Sequence, residues 1–236
     1  MRPGPRRSLT HAEILDVAFD LLEAKGFAAV SVRGVASGLG LTPTALYTYY
    51  PSKNALLRGM VEHLLARLDP GEAGAGDAAG AAGAAGSPAA PAAGRDRLLA
   101  LALRLRELLT GHAGALGLIM SGPLDGPNAM RLNETLLESF MAAGLELDDA
   151  ARAAYALQVY VLGSIALESA DLHAESDAAE ASDRALTTEA TGATLWTDLA
   201  TFPLSERTEA VAAEHNSTAQ FTWGVQRLLD GLIGVR

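Results

Sequence analysis

Apolar residues recur at helical spacing along most of the chain. Ile14, Val17, Ala18, Leu21 and Leu22 form one stripe, with the three-to-four-residue step of an amphipathic helix. Thr10-x-x-Glu13 supplies a capping box ahead of it, and Gly26 a residue suited to close it. Ser31 caps a second predicted helix with Val32, Val35, Ala36 and Leu39 on its apolar face, and Gly40 breaks it. Thr42 caps a third, with Pro43 at the first position, where no N–H is needed, and Pro51 stops it. Ser52 caps a fourth, carrying Leu56, Leu57, Met60, Val61, Leu64 and Leu65.

Residues 70–94 break the pattern: 12 are Ala, 7 Gly and 3 Pro. Such a segment cannot fill a core, which predicts a flexible loop or linker. Its Gly74-Ala-Gly76-Asp-Ala-Ala79 run formally fits a dinucleotide fingerprint, but no strand precedes it and Gly/Ala tracts match by chance. From Arg95 the helical pattern resumes with Leu98, Leu101, Ala102, Leu105, Leu108 and Leu109. A short apolar segment, Leu116–Met120, ends at Gly122-Pro123. The next helix carries Met130, Leu132, Leu136, Leu137, Phe140 and Met141 and closes at Gly144. A long helix is expected from Asp148 or Asp149 to about Leu172, then an irregular polar stretch over 173–217 with a short helix near Ser205–Glu214. Thr218 opens a last helix bearing Phe221, Trp223, Val225, Leu228, Leu229, Leu232 and Ile233. No run alternates with period two, so the expected fold is all-α.

Composition narrows the class. Among 236 residues, 49% are hydrophobic and 19% charged, enough apolar surface to bury a core. No cysteine is present, which excludes disulfides, thiol catalysis and cysteine-ligated metals. The longest charge-free apolar run, Ala153–Leu167, is 15 residues, short of the roughly 18–20 that a membrane span needs. The basic start is followed by Glu13, Asp16 and Asp20, against a signal peptide. A cytoplasmic protein that does not engage a membrane is expected. Charge is split unevenly: residues 1–68 hold eight basic and five acidic side chains, net +3, and the remainder 10 and 23, net −13. That asymmetry suits a polyanion-binding head on a solubilising body.

Two short helices joined at Gly40-Leu41, the second capped by Thr42-Pro43, form a candidate helix-turn-helix, whose second helix could lie in a major groove. The surrounding residues are more specific. The opening helix with Ala18 and Leu21-Leu22, then Gly26, Ser31-Val-Arg-Gly-Val-Ala36, Gly40-Leu41-Thr42, Leu46-Tyr47-x-Tyr49 and Lys53-x-x-Leu56-Leu57 together resemble the TetR family of bacterial transcriptional regulators. The likeness runs from about Leu9 to Leu68. Leu162-Gly163, Leu167-Glu168 and the ending Phe221-x-x-Gly224-x-x-Arg227-Leu-Leu-Asp230-Gly231 look like the family's tetracycline-repressor type of C-terminal domain. An Arg-rich composition (16 Arg, 2 Lys) suits the high-GC bacteria where that type is common.

The resemblance implies a homodimer that binds a palindromic double-stranded DNA operator and answers to a small apolar or amphipathic effector. It implies a DNA-binding domain over 1–52, a connecting helix over 53–69 and an effector-binding and dimerisation domain over 95–236; the loop over 70–94, read from its composition, departs from the compact family pattern. Tyr47 and Tyr49 resemble the family's phosphate-contacting pair, and Lys53 its phosphate-contacting lysine. Thr42, Thr44 and Thr48 could touch base edges or phosphates, though Thr42 is also a helix cap. No Lys or Arg lies between Pro43 and Tyr50, which makes Arg33 the charged candidate for reading a guanine; a phosphate contact is the equal alternative. Arg6 and Arg7 could form an arm along the duplex.

For the body, the resemblance places an apolar cavity beneath the fourth helix. Leu101, Leu105, Met120, Leu137, Met141, Tyr155 and Gln158 are candidate lining residues, each also readable as ordinary core. Tyr160, Gly163, Ser164 and Leu167 with Phe221, Val225, Leu228 and Leu232 are candidates for a four-helix dimer interface. The segment before Gly122-Pro123 lacks the histidine that helps hold a tetracycline–magnesium complex, and the five histidines have no metal-ligand spacing. Neither a metal nor a cofactor is expected. Catalysis is not expected either, since no nucleophile elbow or paired-carboxylate arrangement stands out. The alternatives are a helical small-molecule-binding protein with a silent head, and an activator in place of a repressor.

Overall fold

The computed structural model describes residues 9–68, 90–112, 114–185 and 202–234. Among them every regular element is helical, as the apolar periodicity predicts. The chain divides into two compact units, Met1–Tyr155 and Ala156–Arg236.

The first unit opens with α1 (His11–Lys25), α2 (Val32–Gly38), α3 (Pro43–Tyr47) and α4 (Lys53–Leu65). Local chemistry sets their starts. The Thr10 hydroxyl accepts from the Glu13 N–H at 3.2 Å while the Glu13 carboxylate accepts from the Thr10 N–H at 2.8 Å. Ser31, Thr42 and Ser52 cap α2, α3 and α4 by accepting from Gly34, Ala45 and Ala55. Each bond satisfies an N–H that has no partner within its helix. Gly40, at φ 65°, makes the turn between α2 and α3 while the Leu41 N–H reaches back to the Ala36 carbonyl at 2.8 Å. That is the Schellman arrangement, and it needs the left-handed conformation glycine adopts freely. Ile14, Ala18, Leu22, Val35, Ala36, Leu46, Leu56 and Met60 fill the core beneath.

The same unit continues with α5 (Ala90–Thr110), α6 (Ala115–Ser121), α7 (Pro127–Ala142) and the first residues of α8 (Leu147–Ala185). Helices α5 and α7 pack closely on each other. A Cβ at Gly94 would lie 2.5 Å from the Ser139 carbonyl oxygen and 2.9 Å from the Ala143 nitrogen, so the two backbones touch there. Leu98, Leu101 and Leu109 of α5 and Leu136 and Phe140 of α7 are buried. In the second unit α8 continues, followed by α9 (Pro203–Arg207), α10 (Glu209–Ala212) and α11 (Thr218–Gly234). Here α8 and α11 meet where the Tyr160 ring lies over Gly224, with the Phe221 ring 6.1 Å away.

Three expectations change. Residues 90–94 belong to α5 and not to a loop; alanine is the best helix former, Pro91 suits a helix start, and bare Gly94 is what α7 packs against. The remainder of the expected loop, like Arg6 and Arg7, lies outside the described residues. The long helix runs on to Ala185, through an Ala-rich polar sequence that favours a helix without an apolar stripe. The short helix near Ser205 is two, divided at Thr208, whose hydroxyl donates to the Leu204 carbonyl. In addition, the stretch Leu147–Ala170 of α8 is long and apolar enough to cross a membrane, because Glu168 does not interrupt the helix as it interrupts the charge-free run.

Gly94→Ala is expected to destabilise the protein by roughly 1–3 kcal/mol, since backbone on both helices must move to admit a methyl group. A urea unfolding curve with a lower midpoint and unchanged slope would show it.

Candidate nucleic-acid interface

The head separates buried support from presented side chains. On α3, Leu46 points inward at 0% exposure and Tyr47 outward at 48%. Tyr47 is therefore not the packing plug of the domain; Leu46 and the buried Tyr50 do that work. The Tyr50 ring covers Gly59 of α4, and burial raises its phenol pKa, so it stays protonated. Thr42, Thr44 and Thr48 are exposed, as are Arg33 on α2 and Lys53 at the first position of α4. Tyr49 is half-buried.

Several of these side chains are held in place. The Thr42 hydroxyl is engaged by the Ala45 N–H, and the Thr48 hydroxyl donates to the Ala45 carbonyl at 2.6 Å. The Lys53 ammonium stands 5.5 Å from the centre of the Phe27 ring, a cation–π contact that leaves the charge facing water. His11, at the start of α1, packs edge-on against Tyr49 at 5.7 Å and Tyr50 at 5.1 Å. Sequence alone does not mark His11 as the residue that positions Tyr49, because the contact spans three helices. Arg33 makes no ion pair among the described residues, which leaves its guanidinium available to an anion. The arrangement can neutralise phosphates with Lys53 and Arg33 and offer hydroxyls to phosphate or base edges.

The connecting helix is anchored on its other side. Arg58 grips Asp125 with two bonds, Nε to one carboxylate oxygen at 2.6 Å and an Nη to the other at 2.7 Å. One turn on, the Glu62 carboxylate accepts from the N–H groups of Asn128 (2.7 Å) and Ala129 (3.1 Å). Glu62 thereby caps α7, whose own N-cap, Gly126, has no side chain to do so. An anion at the positive end of a helix is favourable. The Asn128 side chain returns a bond to the Glu62 carbonyl at 2.9 Å.

The body candidates fall in different places. Leu101 is buried, and Leu105, Leu137 and Gln158 are half-buried. Met120, Met141 and Tyr155 are exposed at 64%, 48% and 70%, so within this chain they do not line an enclosed cavity. Of the interface candidates, Phe221 and Val225 are buried within their own chain, Tyr160, Ser164, Leu228 and Leu232 are half-buried, and Gly163 and Leu167 are exposed. Val159 and Trp223 are also exposed, at 52% and 59%, and were absent from the expected set because periodicity alone does not tell which side of a helix is left uncovered.

Capped short helices around a Gly40 turn, with hydroxyls and cations outward, define a helix-turn-helix DNA-binding protein. The family profile for bacterial regulatory proteins of the tetR family matches residues 14–60, and that for the tetracyclin repressor-like C-terminal domain matches residues 87–235. The chain belongs to the TetR family of transcriptional regulators, a regulatory and not an enzymatic class. It is 29% identical over 166 residues to an HTH-type transcriptional regulator of Saccharopolyspora erythraea, covering 70% of this chain and 63% of that one, just under two thirds of the relative's length. Over 240 residues it is 28% identical to the HTH-type transcriptional repressor DrrR1 of Streptomyces coeruleorubidus, covering 97% of this chain and 79% of that one. A crystal structure of a possible TetR family regulator from Streptomyces coelicolor A3(2) superposes with TM-score 0.71 at 27% identity, covering 96% of this chain and 100% of the other.

The Arg58–Asp125 pair has a pH signature. The hydrogen bonds from Arg58 hold the Asp125 carboxyl below its usual pKa. A depressed carboxylate pKa contributes stability that is complete above the unfolded value, about 3.9, and is lost as pH falls through the folded value. Asp125→Asn should therefore lower the urea midpoint at pH 7, and the gap from the parent protein should begin to narrow as pH falls below about 4 and close only once the folded carboxyl is protonated.

Proposed function

We propose that this chain is a homodimeric transcriptional repressor that binds a palindromic operator through residues 1–52 and is released by a small apolar or amphipathic effector in residues 95–236. Residues 53–69 connect the two, and the protein works in the cytoplasm, where its DNA is. The observation that carries the reading is the set on the head: Arg33, Thr42, Thr44, Tyr47, Thr48 and Lys53 are exposed, and Tyr49 half-exposed beside them, on capped helices and the turn after α3, over a closed apolar core. Repression, as opposed to activation, is supported by the likeness to DrrR1, whose name makes it a repressor. An effector is supported by the C-terminal domain type, whose members respond to small hydrophobic ligands. Its walls would draw on the α5 and α7 residues Leu101, Leu105 and Leu137, with Met120, Met141 and Tyr155 set aside as exposed.

A dimer through α8 and α11 is supported by uncovered apolar surface in the second unit. Val159, Gly163 and Leu167 recur every four residues along α8 with their surfaces open. Nothing stands within 4 Å of where a Cβ at Gly163 or Gly231 would lie, which leaves room for another helix to approach closely. Exposed Trp223 on α11 adds a large apolar side chain, and Phe221 and Val225 act from behind, as core of their own chain.

A gel shift with the DNA upstream of the gene tests the head. The parent protein should give a discrete complex weakened by salt. Replacing both Tyr49 and Lys53 with Ala should abolish it at moderate salt, and Lys53→Ala alone should flatten the log–log salt slope by about 0.9. Unchanged affinity in the double variant would remove this surface from the operator contact. For the dimer, Val159→Glu combined with Leu167→Glu is expected to give monomers in sedimentation velocity; a persistent dimer would place the interface elsewhere.

A further inference from the structure

Within the first unit, Phe27 stands between a cation of the head and a helix that follows the connecting helix. Gly26, at φ 73°, ends α1 in a conformation that glycine adopts freely, and Phe27 then opens a short helical turn, Phe27–Ala29. The half-buried Phe27 side chain meets two neighbours of different kind. The Lys53 ammonium, at the start of α4, lies 5.5 Å from the centre of its ring. The backbone of α6 lies against its base: a Cβ on Gly117 would stand 3.2 Å from the Phe27 Cβ and 3.4 Å from its Cγ. Three residues earlier, a Cβ on Gly114 would stand 2.8 Å from the Leu22 Cδ1 on α1. These two bare positions let α6 come close to the end of α1 and to Phe27.

We infer that Phe27 is a positioning residue for operator binding: its ring holds the Lys53 ammonium in place for a phosphate, from a seat that α6 sets. The inference rests on the operator reading, in which Lys53 contacts DNA. A lysine side chain loses much rotamer freedom when its ammonium is fixed on a phosphate. An ammonium already drawn to an aromatic face has given up part of that freedom before DNA arrives, so binding costs less. The ring is uncharged, and Lys53 therefore stays a full cation. Its placement matters because α3 carries no Lys or Arg. Phe27 in turn is fixed from behind. The Gly117 backbone approaches so near that a methyl group there would have to push the Phe27 side chain aside. A displacement of α6 thereby reaches a phosphate contact through Phe27, a route separate from the α4 contacts with Asp125 and α7.

Double-mutant cycles on the full-length protein, read by gel shift with the DNA upstream of the gene, test it. Phe27→Leu keeps apolar bulk and removes the aromatic face; it should weaken binding roughly two- to fivefold. Phe27→Tyr keeps the face and should bind like the parent. In Lys53→Ala protein, Phe27→Leu should cost nothing further, because the residue it acts through is gone. Gly117→Ala, which presses on Phe27 from α6, should weaken binding by the parent and leave that of Lys53→Ala protein unchanged. Losses that add in either cycle, a Tyr variant as weak as the Leu variant, or parent affinity in Gly117→Ala would overturn this inference and leave the operator reading standing. Parent affinity in Lys53→Ala would overturn both. Should Phe27→Leu fail to fold, the parent protein decides without DNA, since Lys25 and Lys53 are its two lysines. With lysine labelled at Cε, the Lys53 ε-methylene must resonate upfield of that of Lys25, shifted by the Phe27 ring current. Coincident signals would overturn the inference.

Discussion

The structure of the first unit turns on α4 being buried from two sides at once. Leu56, Leu57, Met60, Val61, Leu64 and Leu65 are all buried, a stripe of paired positions wider than one helix contact requires. One side belongs with the head, where Tyr50 covers Gly59; the other meets α6, where a Cβ at Gly122 would collide with the Val61 side chain. Arg58 and Glu62, four residues apart on the helix, then fasten the polar edge to Asp125 and to the start of α7. A helix held this way cannot follow one neighbour without disturbing the other. Its apolar contacts resist separation, and its polar contacts, which need defined geometry, resist sliding. Rearrangement around α7 therefore has a direct physical route to the head, although a ligand can use that route only by binding two arrangements with different affinity.

What could be read in advance and what could not follows the range of the interactions. The caps at Thr10, Ser31, Thr42 and Ser52 are local: donor and acceptor lie three residues apart, and the sequence displays both. The cap on α7 is of the other kind. Its carboxylate comes from Glu62, 66 residues before Asn128, and nothing around Gly126 announces it. The Ala/Gly/Pro segment misled for a related reason. Lack of side chains argues against filling a core, yet at Gly94 that lack is what lets α7 come close. Apolar spacing correctly placed Met120 and Met141 on helices, but spacing reports a period and not what covers it; both are exposed. The same limit concealed Val159 and Trp223.

The charge split takes on a more definite meaning in three dimensions. A body carrying net −13 repels DNA at long range, so the head must concentrate its attraction. It does so without any cation on α3, whose outward groups are hydroxyls and the Tyr47 phenol. Positive charge comes instead from flanking helices, Arg33 on α2 and Lys53 on α4. Phosphate contacts fix register, and groups on the helix in the groove discriminate bases. A recognition helix of threonines and tyrosine then gains little from nonspecific attraction and more from fit.

The uncovered face of α8 admits more than one explanation on composition alone, since Leu147–Ala170 has the length and hydropathy of a membrane span. Packing discriminates. A lipid-facing helix would be expected to present large apolar side chains around its exposed circumference. Here the exposed positions include Gly163, Ala166 and Ala170 beside Val159 and Leu167, and Arg152 lies on the same open side. Small residues interspersed with large ones make a grooved surface, useful for receiving ridges of another helix and of little value against fluid acyl chains. The opposite side is already committed within the chain, through Val161 and Ile165. A face shaped for helices fits the proposed pairing with the same face of a second copy, because an isologous contact closes on itself and leaves no apolar surface exposed.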